Sequence, residues 1–151
     1  MKSQILPSVQ ESIEHTLQQL MWMEQKRFTQ LLSEHGLTLP QFIVLATVLK
    51  RGAGCPIGTL ADAMSQSYPT MTGIVDRLEE ARWVTRERGN KEDRRKVVVT
   101  LTESGRHILD RARTARQQWM RRALAHFSAN DRREFLRLLK VYIDALEKEK
   151  E

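Results

Sequence analysis

Between Trp83 and Leu101 the chain changes its period, and that change limits its fold more than any other feature. On either side of this stretch, apolar residues recur every three to four positions, the spacing of amphipathic helices. Within it, Trp83-Val84-Thr85-Arg86-Glu87-Arg88 and Lys96-Val97-Val98-Val99-Thr100-Leu101 are β-type runs rich in β-branched residues. The residues between them, Gly89 to Arg95, are polar and open on Gly-Asn, so they read as a hairpin loop. The expected fold is mainly α with one small β-hairpin.

The helices around the hairpin are marked by their caps and breakers. A first helix is expected from about Ser8 to Glu34, stopped at Gly36, with Ile13, Leu17, Leu20, Met21, Phe28, Leu31 and Leu32 in helical register. At its centre Leu20-Met21-Trp22-Met23 is apolar most of the way round. A helix roughly 40 Å long with two apolar faces overreaches a small core, so one face is expected to meet a second subunit. Thr38 caps a second helix, with Pro40 in its first turn and Gln41 at the return position of a capping box. That helix ends at Arg51-Gly52. Gly52 to Pro56 reads as a turn. Short helices over Ile57–Met64 and from Tyr68 to about Arg82, joined by Ser65-Gln66-Ser67, give a helix-turn-helix outline. Beyond the hairpin, Thr102 caps a long helix with Leu109, Ala112, Ala115, Trp119, Leu124 and Phe127 on its apolar side. Ser128 to Asp131 cap a last helix running through Leu146.

Composition narrows the class. With 151 residues, 40% of them hydrophobic and 29% charged, the chain suits one globular domain and not a disordered segment. No apolar run approaches the roughly 18–20 residues of a membrane span, and the N-terminus lacks a signal-peptide layout. A single cysteine cannot form an internal disulfide, which fits a reducing cytosol, so a cytoplasmic protein is expected. The formal net charge of +6 suits a polyanionic partner.

The distribution of that charge is more telling than its sum. From Arg82 to Lys96 seven basic residues (Arg82, Arg86, Arg88, Lys91, Arg94, Arg95, Lys96) face three acids (Glu87, Glu92, Asp93), a net +4. A charge run is often only a solvated loop. A basic hairpin tip, however, has the width to lay arginine into a minor groove. Asp93 would repel phosphate, yet paired with Arg95 it could hold the guanidinium in one orientation. On the helix before the hairpin, Met71, Ile74, Val75 and Leu78 mark a core face. The opposite face carries Ser67, Tyr68, Pro69, Thr70, Thr72, Gly73, Asp76 and Arg77. Hydroxyls reach phosphates and base edges, threonine also meets a thymine methyl, and Gly73 permits close approach to a groove wall. These polar residues crowd the N-terminal turns, the part of a recognition helix that enters the major groove. Capping a surface helix would use the same serines and threonines.

The run Asp93-Arg94-Arg95-Lys96-Val97-Val98-Val99-Thr100-Leu101-Thr102 resembles the D-x-R-x-x-x-x-x-L-T signature of MarR-family regulators. Gly105, Leu60-Ala61 and Val75-Asp76-Arg77-Leu78-Glu79 extend the resemblance over nearly the whole chain. Pro56 departs from it, standing where relatives often cap the third helix with serine or threonine; proline is compatible with a helix start. The resemblance implies a homodimer with residues 1–37 and 102–151 as dimerisation helices and residues 38–101 as a winged helix-turn-helix lobe. It further implies binding to a palindromic double-stranded operator, usually as a repressor released by a small molecule or an oxidant. Arg95 resembles the family's minor-groove arginine and Asp93 its partner, while Ser67, Tyr68, Thr70, Thr72 and Arg77 fall where relatives touch DNA. With Pro69, Gly73 and Arg94 these residues make up the expected DNA-binding set.

For sensing, the family's pockets for small aromatic acids lie between dimer helices and DNA lobe, which makes Trp22, Met23, Phe42 and Trp119 the candidates to line one. Aromatics at helical spacing are more often core. Cys55 occupies an apolar position before the third helix and reads as a packing residue and not a thiol switch. His15, His35, His107 and His126 show no i,i+4 pair, and no cluster has metal-ligand spacing, so neither metal nor cofactor is expected. No nucleophile–base pair or phosphate loop points to an enzyme. An adaptor that had lost DNA contact would not need Asp93, Arg95 or the hydroxyl-rich face.

Overall fold

The computed structural model of the protein describes residues 8–52, 54–88 and 97–149. The chain forms two compact units, the first ending at Arg113 and the second beginning at Thr114. The first holds helix α1 (Val9–Glu34), α2 (Leu39–Arg51), strand β1 (Cys55–Pro56), α3 (Ile57–Ala63), α4 (Tyr68–Glu80), β2 (Val84–Arg88) and β3 (Val97–Leu101). Helix α5 (Glu103–Leu124) runs across the boundary, and α6 (Ala129–Lys148) lies in the second unit.

The helix ends follow their caps. Ser8 and Thr38 each close a capping box, with Glu11 and Gln41 returning to the cap N–H groups. Ser128 and Asp131 do the same for α6; the two serine hydrogen bonds hold the Asp131 carboxyl below its ordinary pKa. Gly36 and Gly52 take φ of +73° and +75° just past α1 and α2, the left-handed conformation that ends a helix most readily at glycine.

Three helices pack on a small antiparallel sheet ordered β1-β3-β2. The expected hairpin is present, with Val84 opposite Leu101 and Arg88 opposite Val97. Its third strand was not expected. Two residues expected in a turn form β1 instead, Cys55 opposite Val99 and Pro56 opposite Val98. Proline, lacking an N–H, is tolerated there because β1 is an edge strand. The buried core is entirely apolar among the described residues, drawn from α1 to α5 and the sheet, with Leu32, Leu45, Leu60, Met71, Leu78 and Leu109 its largest fully buried members.

Two boundaries differ from expectation. Helix α4 stops at Glu80, and Arg82 adopts φ +60° outside it. Helix α5 ends at Leu124, so Phe127 lies in the α5–α6 connection, stacked on Phe135 with ring centroids 5.6 Å apart. Next to Arg82, Thr102 ties the hairpin to α5. Its N–H donates to Trp83 O (3.1 Å), its hydroxyl donates to Arg82 O (2.8 Å), and Oγ1 accepts from Gly105 N–H (3.0 Å). Gly105 is required by this packing, since a Cβ there would stand 2.0 Å from Trp83 O.

Candidate nucleic-acid interface

The amphipathic pattern of α4 decides which face it shows. Met71, Val75 and Leu78 are fully buried against the sheet and α2, with Ile74 partly buried beside them. That fixes the helix about its axis and turns Ser67, Tyr68, Pro69, Thr70, Gly73, Asp76 and Arg77 to solvent, with Thr72 half-buried. Tyr68 is 50% exposed.

The hydroxyls are partly committed within the helix. Ser67 Oγ accepts from Thr70 N–H at 3.3 Å and lies 2.8 Å from Thr70 Oγ1, so Ser67 is the N-cap. Thr72 donates its hydroxyl to Tyr68 O at 2.9 Å. Both oxygens keep acceptor capacity, and the rotatable hydroxyls can re-aim at low cost. Gly73 is not explained by packing, because a Cβ built there meets no heavy atom within 4 Å. A glycine inside a helix costs about 1 kcal/mol against alanine, so within the protein itself this position is a pure loss.

Arg86, one of the seven basic residues from Arg82 to Lys96, meets acids on α4. Arg86 Nη2 donates a hydrogen bond to Asp76 Oδ1, and its buried Nε lies 3.0 Å from Glu79 Oε2 without a hydrogen bond, so β2 is tied to α4 and the charge is paired within the protein. The spacing of Asp76 and Glu79, three apart on one helix, was the available signal. Asp93, Arg94 and Arg95 lie outside the described residues.

Of the four residues proposed for an effector pocket, Phe42 packs edge-on to Phe28 with centroids 5.1 Å apart. It also lines an open groove of about 510 Å³ with Ile43, Ala46, Thr47, Leu49, Lys50 and Arg113. Lys50 and Arg113 bring two cations to its lining, a juxtaposition that local sequence does not signal because they stand sixty-three positions apart. Trp22 and Met23 are exposed on α1, Trp22 with Lys26 Nζ 4.9 Å from its ring centre, and Trp119 belongs to the second unit. Cys55 is buried in β1, and that burial pushes its thiol pKa up, partly offset by the charge of Arg51. Among the described residues no three His, Cys, Asp or Glu side chains converge on a metal-sized site, and no single helix is long and apolar enough to cross a membrane.

Known proteins share this architecture. The MarR family profile matches residues 35–96, from just after α1 to just before β3. The HTH-type transcriptional repressor NicR of Pseudomonas putida is 32% identical over 91% of this chain and 85% of its own length. A MarR family protein from Bacillus stearothermophilus superposes with a TM-score of 0.77 at 26% identity, covering 90% of this chain and 94% of that one. A MepR mutant from Staphylococcus aureus, solved bound to an oligodeoxyribonucleotide, has the same fold at a TM-score of 0.72 and 16% identity, with 89% and 97% covered. With its winged lobe, its hairpin and its near full-length likeness to NicR, the chain belongs to the MarR family of helix-turn-helix transcription regulators.

Proposed function

We propose that the protein is a sequence-specific repressor that binds a palindromic double-stranded operator as a homodimer, α4 in the major groove and the wing in the minor groove. The observation that carries this reading is the outward face of α4. Its first two turns present Ser67, Tyr68, Pro69, Thr70 and Thr72, and the Gly73 backbone is left bare. Arg77 supplies charge at the end of that face, and Asp93, Arg94 and Arg95 are proposed to act at the wing tip. The DNA in the MepR complex and the repressor role of NicR support the same use of the fold. Residues 38–101 then form the DNA-binding lobe, and a cytoplasmic setting follows from that role.

Dimerisation through residues 1–37 and 102–151 is supported by uncovered apolar surface. Ile13, Leu20 and Met21 are exposed on α1, and α6 has no buried residue although Phe135, Leu136, Leu138, Val141, Tyr142, Ile143 and Leu146 lie along it. Surface of that kind marks an interface. For the effector, the groove beside Phe42 combines apolar lining from Phe42, Ile43, Ala46 and Leu49 with the cations of Lys50 and Arg113, which suits a small planar anion such as an aromatic acid. No catalytic role is proposed.

An electrophoretic shift with the DNA upstream of the protein's own gene tests the central reading. A discrete complex that survives excess unrelated duplex is the expected result, and a complex displaced equally by any duplex contradicts it. Adding a panel of aromatic acids to that complex tests release.

A further inference from the structure

Arg86 has its positive charge paired within the protein. Its side chain is 21% exposed, and its guanidinium meets two carboxylates on α4, Asp76 at Nη2 and Glu79 at Nε (3.0 Å). One carboxylate is enough to neutralise one guanidinium. The second brings repulsion between two acids on one helix turn and leaves a net negative charge on the element proposed to approach phosphate. What the second acid adds is a reserve partner. Asp76 accepts a hydrogen bond from Nη2, and Glu79 lies beside Nε as an ion pair without a hydrogen bond there, so Arg86 is paired from two sides and either acid alone can keep β2 tied to α4. Because β2 pairs with β3 along its whole length, the hairpin moves as one piece with Arg86.

We infer that Arg86 is a positioning residue for DNA recognition, and that Glu79 is a second anchor, redundant with Asp76, fixing the wing hairpin against the recognition helix. This rests on the DNA-binding reading above. The redundancy explains the surplus acid: with two acceptors, either carboxylate can be drawn away during docking while Arg86 stays paired.

Charge and geometry make opposite forecasts for Asp76→Asn/Glu79→Gln. By charge alone, removing two negative groups tightens binding to every duplex. By positioning, the double variant binds the upstream DNA roughly tenfold more weakly, the scale of a lost groove contact. Its salt dependence also flattens by roughly one counterion per lobe. Each single variant is expected to lose clearly less than half of that loss on a logarithmic scale, because the other anchor holds. Arg86→Met should match the double variant, and combining the two should add little, as coupled residues require.

The experiment is a fluorescence-anisotropy titration of the full-length protein and these variants against upstream and unrelated duplexes at several salt concentrations. Circular dichroism confirms folding at the assay temperature. Should Arg86→Met or the double variant not fold, Arg86→Lys keeps the charge without the fork and is expected to bind at an intermediate level. Tighter or unchanged binding by the double variant overturns the inference, and a full loss from Asp76→Asn alone overturns the role of Glu79. The tie is also read without DNA. Amide hydrogen exchange in β2 and β3 should quicken in the double variant, and unchanged exchange overturns the inference even if the DNA-binding reading itself has failed.

Discussion

Replacing Gly73 with alanine separates what the fold needs from what DNA binding needs. Gly73 sits in the interior of α4, is exposed, and has no heavy atom within 4 Å of the place a Cβ would occupy. Within the protein the added methyl therefore meets no clash, and the helix gains about 0.8–1 kcal/mol in propensity. For a chain of this length that gain corresponds to a rise of roughly 2–4 °C in Tm. If this face lies against a groove wall, the same methyl is inserted into a packed contact, where overpacking costs on the order of 1–3 kcal/mol. Operator affinity is then expected to fall by about tenfold, since about 1.4 kcal/mol is a factor of ten. Thermal melts by circular dichroism and anisotropy titrations on the same preparations read both effects. A raised Tm with unchanged affinity would show that DNA does not approach this face, and a lowered Tm would refute the packing argument itself.

Other substitutions probe other links. Gly105→Ala places a methyl 2.0 Å from Trp83 O, so the Thr102 corner must open and stability should fall by about 2 kcal/mol, measured by denaturant titration. Cys55→Ser buries a hydroxyl in an apolar strand position and is expected to cost about 1–3 kcal/mol while leaving DNA release by ligands intact; peroxide releasing the wild type but not this variant would identify a thiol switch. Leu138→Glu should dissociate or unfold the dimer, because a charge buried in its interface costs several kcal/mol; a dimer unchanged by light scattering removes α6 from the interface. Arg95→Ala should weaken operator binding by about 1–3 kcal/mol, and Asp93→Ala should weaken it too, whereas tighter binding by Asp93→Ala defeats the proposed orienting role.

Features set by neighbours in sequence were legible. Thr38 with Gln41 and Ser128 with Asp131 are capping pairs three residues apart, and their bonds form as expected because only local backbone geometry is involved. The core face of α4 was legible for the same reason, since Met71, Val75 and Leu78 repeat at the helical spacing. Long-range pairings were not legible. Cys55 and Pro56 look like a turn until Val99 and Val98 arrive to pair with them. A charge count cannot tell that Arg86 turns inward to Asp76 and Glu79, because partner choice depends on how β2 crosses α4. Nor does local sequence say that Lys50 and Arg113 share a groove with Phe42. The helical period of Phe127 continues that of α5, yet the helix stops at Leu124, where Arg132 Nε donates to the Leu124 carbonyl at 3.0 Å.

The central claim is that this lobe reads a DNA sequence and does more than attract phosphate. Its most direct test is the ratio of affinities for the upstream palindrome and a scrambled duplex of equal length and composition, measured by anisotropy at one near-physiological salt concentration. The account predicts about 10³-fold or greater preference for the palindrome, with one dimer bound per site. Equal affinities for the two duplexes, both falling steeply with salt, would contradict it.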